Sequence, residues 1–453
     1  MYIPLISSFW RRSWQTSPFG SLVFFTITTN AFLAIIGIVS GLIIARLLGP
    51  EGRGELTAIQ AWPVFLSLLS VIGLHDAIAY YSARFPDAAS NWLSVGIAIA
   101  LGVSLILVVL GYYIMPMLLQ SQSPEIIQSA RFYLWYLPLN VVTGLPAFAL
   151  RGRNDLISWN LYRSLPPIIW TGVVFVSFAL HFSSPVLIAR YYLITFALIM
   201  LLAVPVFIWL RLPRVFNPSI TMVSPMVRYG LPSVLSSMPS MLNLRLDQLI
   251  LAAMVNPQVL GLYVVGVSWG GAGGFIVNGL TAAILPRVAG TSDSETQKYL
   301  LAQATRIGFM LSLLVALLTV LAAPIAIPLL FGREFVDAIP AGIILAFAAG
   351  VLSFNQLLST GVMGLGQPKF VLIAESAGLI ATALFLWLLL VRYQLIGAAW
   401  ASLLSYSVTC LVLLTVTVNK TQLNIKNLLL PNHEDAELLL CKMKTWKSAS
   451  STL

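Results

Sequence analysis

Charge is what this 453-residue chain has least of: 9% of its residues are Asp, Glu, Lys or Arg, while 59% are hydrophobic. Soluble domains carry about 25% charged residues, because a folded surface must be covered by solvated groups. The shortage excludes an ordinary soluble protein, a disordered chain and a coiled coil. Two cysteines exclude a disulfide scaffold. The three histidines, His75, His181 and His433, form no ligand pair at helical spacing, so no metal is expected. No Gly-Lys dipeptide occurs, which removes the P-loop route to ATP. A hydrolase nucleophile elbow is not expected either, nor is a large outer loop for a soluble active site, and no cofactor is called for. The net charge of +10 invites a nucleic-acid reading. Such binding needs a concentrated basic face, whereas these cations are spread singly between apolar runs, so nucleic acid is set aside. Alternating apolar and polar residues, the mark of a membrane β-strand, are absent. What is left is a polytopic helical membrane protein.

A helix crossing the ~30 Å hydrocarbon core needs about 20 apolar residues. Twelve such runs can be read, numbered here as spans 1 to 12: 20–46, 55–83, 91–117, 125–149, 156–181, 185–210, 228–255, 257–286, 297–330, 335–362, 369–392 and 395–418. Pro324 and Pro328 are expected to end or bend span 9. With the N-terminus inside, sixteen Lys and Arg fall in cytoplasmic segments, including Arg11, Arg12, Arg151, Arg153, Arg211, Arg287 and Lys442. Four fall outside (Arg46, Arg53, Arg333, Arg392) and five lie within helices. This asymmetry sets an N-in, C-in orientation. No cleavable signal is expected in Met1–Gly20. The longest connection runs from Arg211 to Met226, at the natural midpoint. The expected organisation is a cytoplasmic N-terminus (1–19), a six-helix bundle (20–210), a cytoplasmic linker (211–227), a second six-helix bundle (228–418) and a cytoplasmic tail (419–453). Within that tail, Leu428–Trp446 has a mixed composition suited to a membrane surface.

The two halves carry traces of duplication, as many transporters do. Pro50 and Gly54 after span 1 match Pro257 and Gly261 after span 7 at an offset of 207, and Gly152 matches Gly366 at an offset of 214. An even number of spans separates the copies, so the halves are related by an axis along the membrane normal, with a cavity expected between them.

Ionisable groups at membrane depth are functional candidates, since a charge at the bilayer centre costs ~2.5–3.5 kcal/mol. Arg131, Arg163, Arg190 and Glu375 lie near helix ends and are expected to snorkel. Arg245 lies about 15 Å along span 7 from its outer end, near the midplane. Asp247 continues a stripe of Ser233, Ser236, Ser240 and Asn243 on one helix face, and the pair points to a water-filled cavity. Span 1 has a shorter analogue in Thr26, Thr29 and Asn30, and span 2 carries His75 and Asp76. The WGGAGG segment at 269–274 is expected to serve close packing. Glu51, Arg53 and Glu55 are read as a turn. All fifteen cations before residue 298 are Arg, whose planar fork suits bidentate phosphate binding. An Arg-rich cavity fits an anionic, phosphate-bearing substrate.

The segments GLIIARLLGPEGRGEL (41–56), YGLP (229–232), LRLDQLILAAM (244–254), VLGLYVVG (259–266) and AAILPRVA (282–289) resemble the polysaccharide transporter family of the multidrug/oligosaccharidyl-lipid/polysaccharide exporter superfamily. The resemblance extends over nearly the whole chain. It implies an all-α, MATE-like fold of twelve transmembrane helices in two pseudo-symmetric bundles forming a V around a cationic cavity, with helices 1, 2, 7 and 8 at its walls. It also implies a flippase of the bacterial inner membrane that translocates a polyprenyl-pyrophosphate-linked oligosaccharide for O-antigen, capsule or exopolysaccharide assembly. A polysaccharide polymerase and chain-length machinery would be its partners. On this reading Arg245, Arg46 and Arg306, with Asn30 and Asn243, contact the head group. Asp247, Asp76 and His75 are candidates for coupling to H+ or Na+. The alternatives are a drug/cation antiporter of the same superfamily, a lipid II flippase (typically of fourteen helices) and a major-facilitator transporter. The last lacks its usual basic motif, since the loop after span 2 reads RFPDAASN (84–91).

Overall fold

In lipid a backbone must satisfy its N–H and C=O groups within its own segment, and the apolar runs of this chain do so as helices. The computed structural model describes residues 19–71, 73–213, 217–274, 276, 277, 279, 281, 290, 293–422 and 424–429, and among these there is no strand. Eight helices are long and apolar enough to cross a membrane, two of them, of 61 and 54 residues, being long enough to cross twice. Gly49 (φ 65°) divides the helix Phe19–Val71, and Gln394 (φ 40°) divides Pro368–Thr421. These divisions separate span 1 from 2 and span 11 from 12. Spans 3, 5, 6, 9 and 10 are the helices Ala89–Leu118, Leu156–Ala179, Pro185–Arg211, Ser294–Leu330 and Ile339–Gly364. Span 4 is built of Pro124–Tyr133 and Tyr136–Gly152, span 7 of Val223–Asn243 and Leu246–Met254, and span 8 opens as Pro257–Gly271. Among the described residues the order is that of an all-α membrane protein, consistent with two sets of six spans.

Two local expectations are corrected. Helix resumes at Pro50, so Glu51, Arg53 and Glu55 lie in its first turns rather than in a loop. Acidic side chains there oppose the positive end of the helix dipole. Pro324 does not end span 9, which continues to Leu330, two residues past Pro328. The segment 282–289 with Arg287, the N-terminus with Arg11 and Arg12, and the tail beyond residue 429 with His433, Cys441 and Lys442 lie outside the described residues.

The repeat is visible in how helices end. Asn154 (φ 59°) and Gly366 (φ 72°) are both left-handed. Around them the same pair of bonds forms: Asn154 N to Arg151 O (3.0 Å) with Asp155 N to Leu150 O (3.0 Å), and Gly366 N to Met363 O (2.9 Å) with Gln367 N to Val362 O (3.2 Å). Both are Schellman caps. The partner of Gly366 is therefore Asn154, at an offset of 212, and not Gly152. Asn tolerates the left-handed region better than most residues, which hid the match from a search for glycines.

The chain has two compact units, Met1–Met238 with Gln248–Gly261, and Pro239–Asp247 with Leu262–Leu453. Lipid tails are as apolar as Leu, so shape and hydrogen bonds, rather than exclusion of water, hold helices together in a membrane. In the first unit Tyr133, Tyr162 and Phe196 are fully buried. Gln60 Nε2 donates to the Tyr133 hydroxyl (3.2 Å), and the Tyr162 hydroxyl donates to Thr143 O (2.6 Å). The matched prolines and glycines of the repeat meet there. A Cβ on Gly54 would lie 1.7 Å from Pro257 O, and one on Gly261 would lie 1.8 Å from Pro50 O. The start of span 2 thus crosses the start of span 8 backbone to backbone, each glycine against the other copy's proline carbonyl. Beside this crossing, the turn after span 3 caps the C-terminus of span 7: Gln122 Nε2 donates to Ala252 O and Val255 O (both 3.0 Å), and Ser121 N to Ala253 O (3.3 Å). The linker is tied down in the same unit. Ser90 Oγ donates to Pro213 O, and Asn217 N donates to Asn91 Oδ1 (2.7 Å).

In the second unit Phe354, Leu358, Ala374, Leu413 and Leu414 form a buried cluster. The glycines of span 8 pack closely, as their spacing predicts: a Cβ on Gly270 would meet Leu345 O at 2.7 Å, and one on Gly273 would meet Val315 Cγ1 at 2.3 Å.

Candidate functional site

Span 7 breaks between Asn243 and Leu246, so the residues singled out by depth alone sit where the helix is interrupted. The last bonds before the break are Leu244 N to Ser240 O (3.2 Å) and the tighter Arg245 N to Leu242 O (3.0 Å). Arg245 is exposed, while Asn243 and Asp247 on either side are 3% and 5% exposed. The expected stripe from Ser233 to Asp247 is therefore not one continuous helix face. Its last two polar residues turn into the second compact unit.

There they meet groups from spans 8, 11 and 12. Tyr263 donates its hydroxyl proton to Asp247 Oδ2 (2.6 Å), and its oxygen lies 3.0 Å from Ser402 Oγ. Thr382 Oγ1 donates to Asn243 Oδ1 (2.7 Å), which leaves the Asn243 amide to donate to the Glu375 carboxylate. The Tyr406 hydroxyl lies in the field of Asp247, Glu375 and Arg245 together. Two carboxylates, one guanidinium, four hydroxyls and an amide thus lie together inside the unit. A buried carboxylate is tolerated only when hydrogen-bonded or neutralised. Here hydroxyl and amide donors supply that compensation at Asp247 and Glu375. Tyr263, Ser402, Tyr406, Thr382 and Glu375 were not picked out by sequence. Glu375 was expected to snorkel; instead it is directed at Asn243. It is the only acidic residue between Asp337 and Glu434, and that isolation was the available signal.

A second cluster lies in the first unit, where the helix of span 2 is interrupted at Gly73. His75 Nε2 is 3.4 Å from Asp76 Oδ1, and His75 Nδ1 is 3.1 Å from Val71 O, so each ring nitrogen faces an oxygen. Ser233 Oγ donates to Asp76 Oδ2, joining the head of the polar stripe to this pair. The remaining candidates are placed separately. Arg46 is exposed near the end of span 1, and Arg306 is buried at 6% exposure in span 9. Asn30 accepts from Arg163 Nη2 (2.5 Å). Arg163 is thus the second expected snorkeler that turns inward. Arg131 and Arg190 do lie against aromatic rings, those of Tyr112 and Phe132.

Residues 266–270 read Gly-Val-Ser-Trp-Gly, the letter pattern of a hydrolase elbow, contrary to the expectation that none occurs. The segment lies wholly within the helix Pro257–Gly271, and Ser268 Oγ donates to Val264 O (2.8 Å). It has none of the strand-to-helix strain that raises such a serine. Among the described residues no group of three His, Cys, Asp or Glu could hold a metal ion.

Membrane-length helices broken at polar residues are the architecture of secondary transporters. Solved structures of membrane transporters and a flippase are similar to this chain in fold. An inward-facing multidrug-resistance MATE family transporter of the MOP superfamily matches with a TM-score of 0.63 at 19% identity, covering 86% of this chain and 96% of that one. An outward-facing MATE transporter matches with a TM-score of 0.60 at 19% identity, covering 88% and 95%. The lipid II flippase MurJ, in an inward closed conformation, matches with a TM-score of 0.68 at 14% identity, covering 88% and 89%. No curated protein matches the chain in sequence. Residues 20–292 match the family described as polysaccharide biosynthesis protein. The chain belongs to that family.

Proposed function

We propose that this protein is a flippase that moves a polyprenyl-pyrophosphate-linked oligosaccharide across the bacterial inner membrane, N-in and C-in, for surface polysaccharide assembly. The observation that carries the reading is membership of a polysaccharide biosynthesis family by a chain whose described residues lie mostly in membrane-length helices. Such a chain meets a sugar while the sugar is attached to lipid. The halves 20–210 and 228–418 would alternate access, with the lipid tail left in the bilayer. Arg245, exposed at the break in span 7, is the principal head-group contact, with Arg46 and Asn30 in support. Asn243 and Arg306 are buried, so Asn243 belongs with Asp247 in the coupling network, and Arg306 would contact substrate only in another state. Coupling to H+ or Na+ falls to Asp247 and Glu375, or to His75 with Asp76.

The test is translocation of a lipid-linked oligosaccharide in proteoliposomes. Arg245→Ala is expected to lower the rate about ten- to a hundredfold, the loss of one charge-assisted contact, with the folded protein retained. Flipping at the wild-type rate would remove Arg245 from the site. A second reading, a drug/cation antiporter, is favoured by the two carboxylates around Tyr406. Ion-driven efflux of an organic cation without oligosaccharide flipping would establish it instead.

A further inference from the structure

Arg163 stands two turns into span 5, about 10 Å along the helix from Leu156, and its surroundings are those of a cation held in place by neutral groups. Asn160, fully buried, accepts from Arg163 Nε (3.0 Å) and Nη2 (2.7 Å). The Asn160 amide is fixed in turn by donating to Thr26 Oγ1 (2.9 Å) and Leu156 O (2.8 Å). Asn30 Oδ1 takes a further bond from Nη2 (2.5 Å). The guanidinium carbon lies 4.4 Å from the centroid of the Trp159 ring. One edge and one face of the fork are therefore held by neutral groups, and Nη1 has no acceptor among the described residues.

No carboxylate pairs with this charge among the described residues, whose ion pairs include His75–Asp76, Arg211–Asp155 and Lys298–Glu295. Asp155, the nearest acid in sequence, is engaged by Arg211 at 3.8 Å and caps its own helix through Ser158 N (3.1 Å). A second cation shares the same indole. The exposed Arg151 guanidinium lies 5.7 Å from the Trp159 centroid, so the two charges are no more than about 10 Å apart. Two like charges on one ring, one of them held by the buried Asn160 and by Asn30, repel each other until an anion bridges them. Arg151 ends span 4 and Arg163 lies further along span 5, which sets the order in which an anion arriving from the helix ends would meet them.

We propose that Arg163, with Arg151 and Trp159, is a docking site for the phosphate of a membrane-borne lipid, taken through the free Nη1 edge before the ligand moves on. Arginine's fork suits a diphosphate, which offers oxygens to both guanidiniums at once. The assignment rests on the flippase reading only for the identity of that lipid. The shared chemistry is a lipid phosphate, whose source is either a polyprenyl diphosphate or a bulk anionic phospholipid.

Native mass spectrometry of the full chain, titrated separately with undecaprenyl diphosphate and with phosphatidylglycerol, separates the two. Arg163→Gln and Arg151→Gln are each expected to weaken retention at least about tenfold. Arg163→Lys, which keeps the charge without the fork, should weaken it less. Loss confined to undecaprenyl diphosphate assigns the site to the transported substrate, and loss of phosphatidylglycerol as well assigns it to lipid phosphate in general. Because Arg163 also holds Asn160, Arg151→Gln, outside that network, guards against a folding defect. Wild-type retention of both lipids by both Gln variants overturns the site, even if flipping is intact. Failure of the wild-type protein to flip, with binding preserved, overturns the flippase reading and leaves the site standing.

Discussion

The reciprocal crossing of Gly54 and Gly261 makes a quantitative claim. A Cβ on Gly261 would sit 1.8 Å from Pro50 O, whereas carbon and oxygen in contact lie about 3.3 Å or more apart. Gly261→Ala must therefore push the two helix backbones apart by roughly 1.5 Å, since neither facing atom is the end of a flexible side chain. Overpacking of this kind costs about 1–3 kcal/mol, a roughly 5- to 150-fold change in the equilibrium between the closed and the opened crossing. Gly54→Ala, with its Cβ 1.7 Å from Pro257 O, should cost a similar amount. Because one separation makes room for both methyl groups, the double variant is expected to fall well short of the sum of the singles. Thermal unfolding in detergent reads the cost. Hydrogen exchange over residues 119–123 reads the opening, since Ser121 N and Gln122 Nε2 are bonded to the end of span 7 beside the crossing. Wild-type exchange and unfolding in both single variants would refute the close approach. Strict additivity in the double would refute the idea that the two glycines share one contact.

Three further outcomes can be measured. Asp247→Asn should abolish the ion dependence of transport while Tyr263→Phe, which removes one donor to Asp247, only shifts it; flipping assays across pH and Na+ concentration decide, and unchanged profiles for both would disconnect the network from coupling. Asp155→Ala removes the cap on span 5 together with the Arg211 pair, and should destabilise the protein by about 0.5–2 kcal/mol, with Asp155→Asn closer to wild type, as read by thermal unfolding. Asp293 accepts from the Thr296 amide (2.9 Å) and the Thr296 hydroxyl at the start of span 9, and these bonds hold its carboxyl below the ordinary value. The cap therefore contributes fully above about pH 4 and is lost as pH falls through the depressed value. Amides 294–297 should exchange faster on acidification, and Asp293→Ala should remove that dependence.

Much of the fold was legible because lipid leaves a single solution for an apolar run of some twenty residues. Gly49 could be anticipated as a divider, since Gly-Pro ends one helix and begins the next. Gln394 could not, for nothing local marks a glutamine for the left-handed region. In the candidate site, depth alone singled out Arg245 and Asp247, which lie at and just after the break in span 7. The site was not legible where orientation decided. Arg163 and Glu375 lie close enough to helix ends to reach the interface, and only the positions of Asn160 and Asn243 show that they turn inward. Tyr263, Ser402 and Thr382 belong to types common in membrane helices, so their roles emerge only when three spans are brought together. The pairing of Asn154 with Gly366 escaped a search by residue identity because what the repeat preserves there is a backbone conformation.

The tethering of the linker bears on what a cut there would do. The backbone is held at Pro213 by Ser90 and again at Asn217 by Asn91, neighbouring residues at the start of one helix. Residues 214–216 therefore join two ends that are each moored independently to the same support. A protease cut there would leave both new ends held to the start of that helix, so a nick in the linker need not release either end.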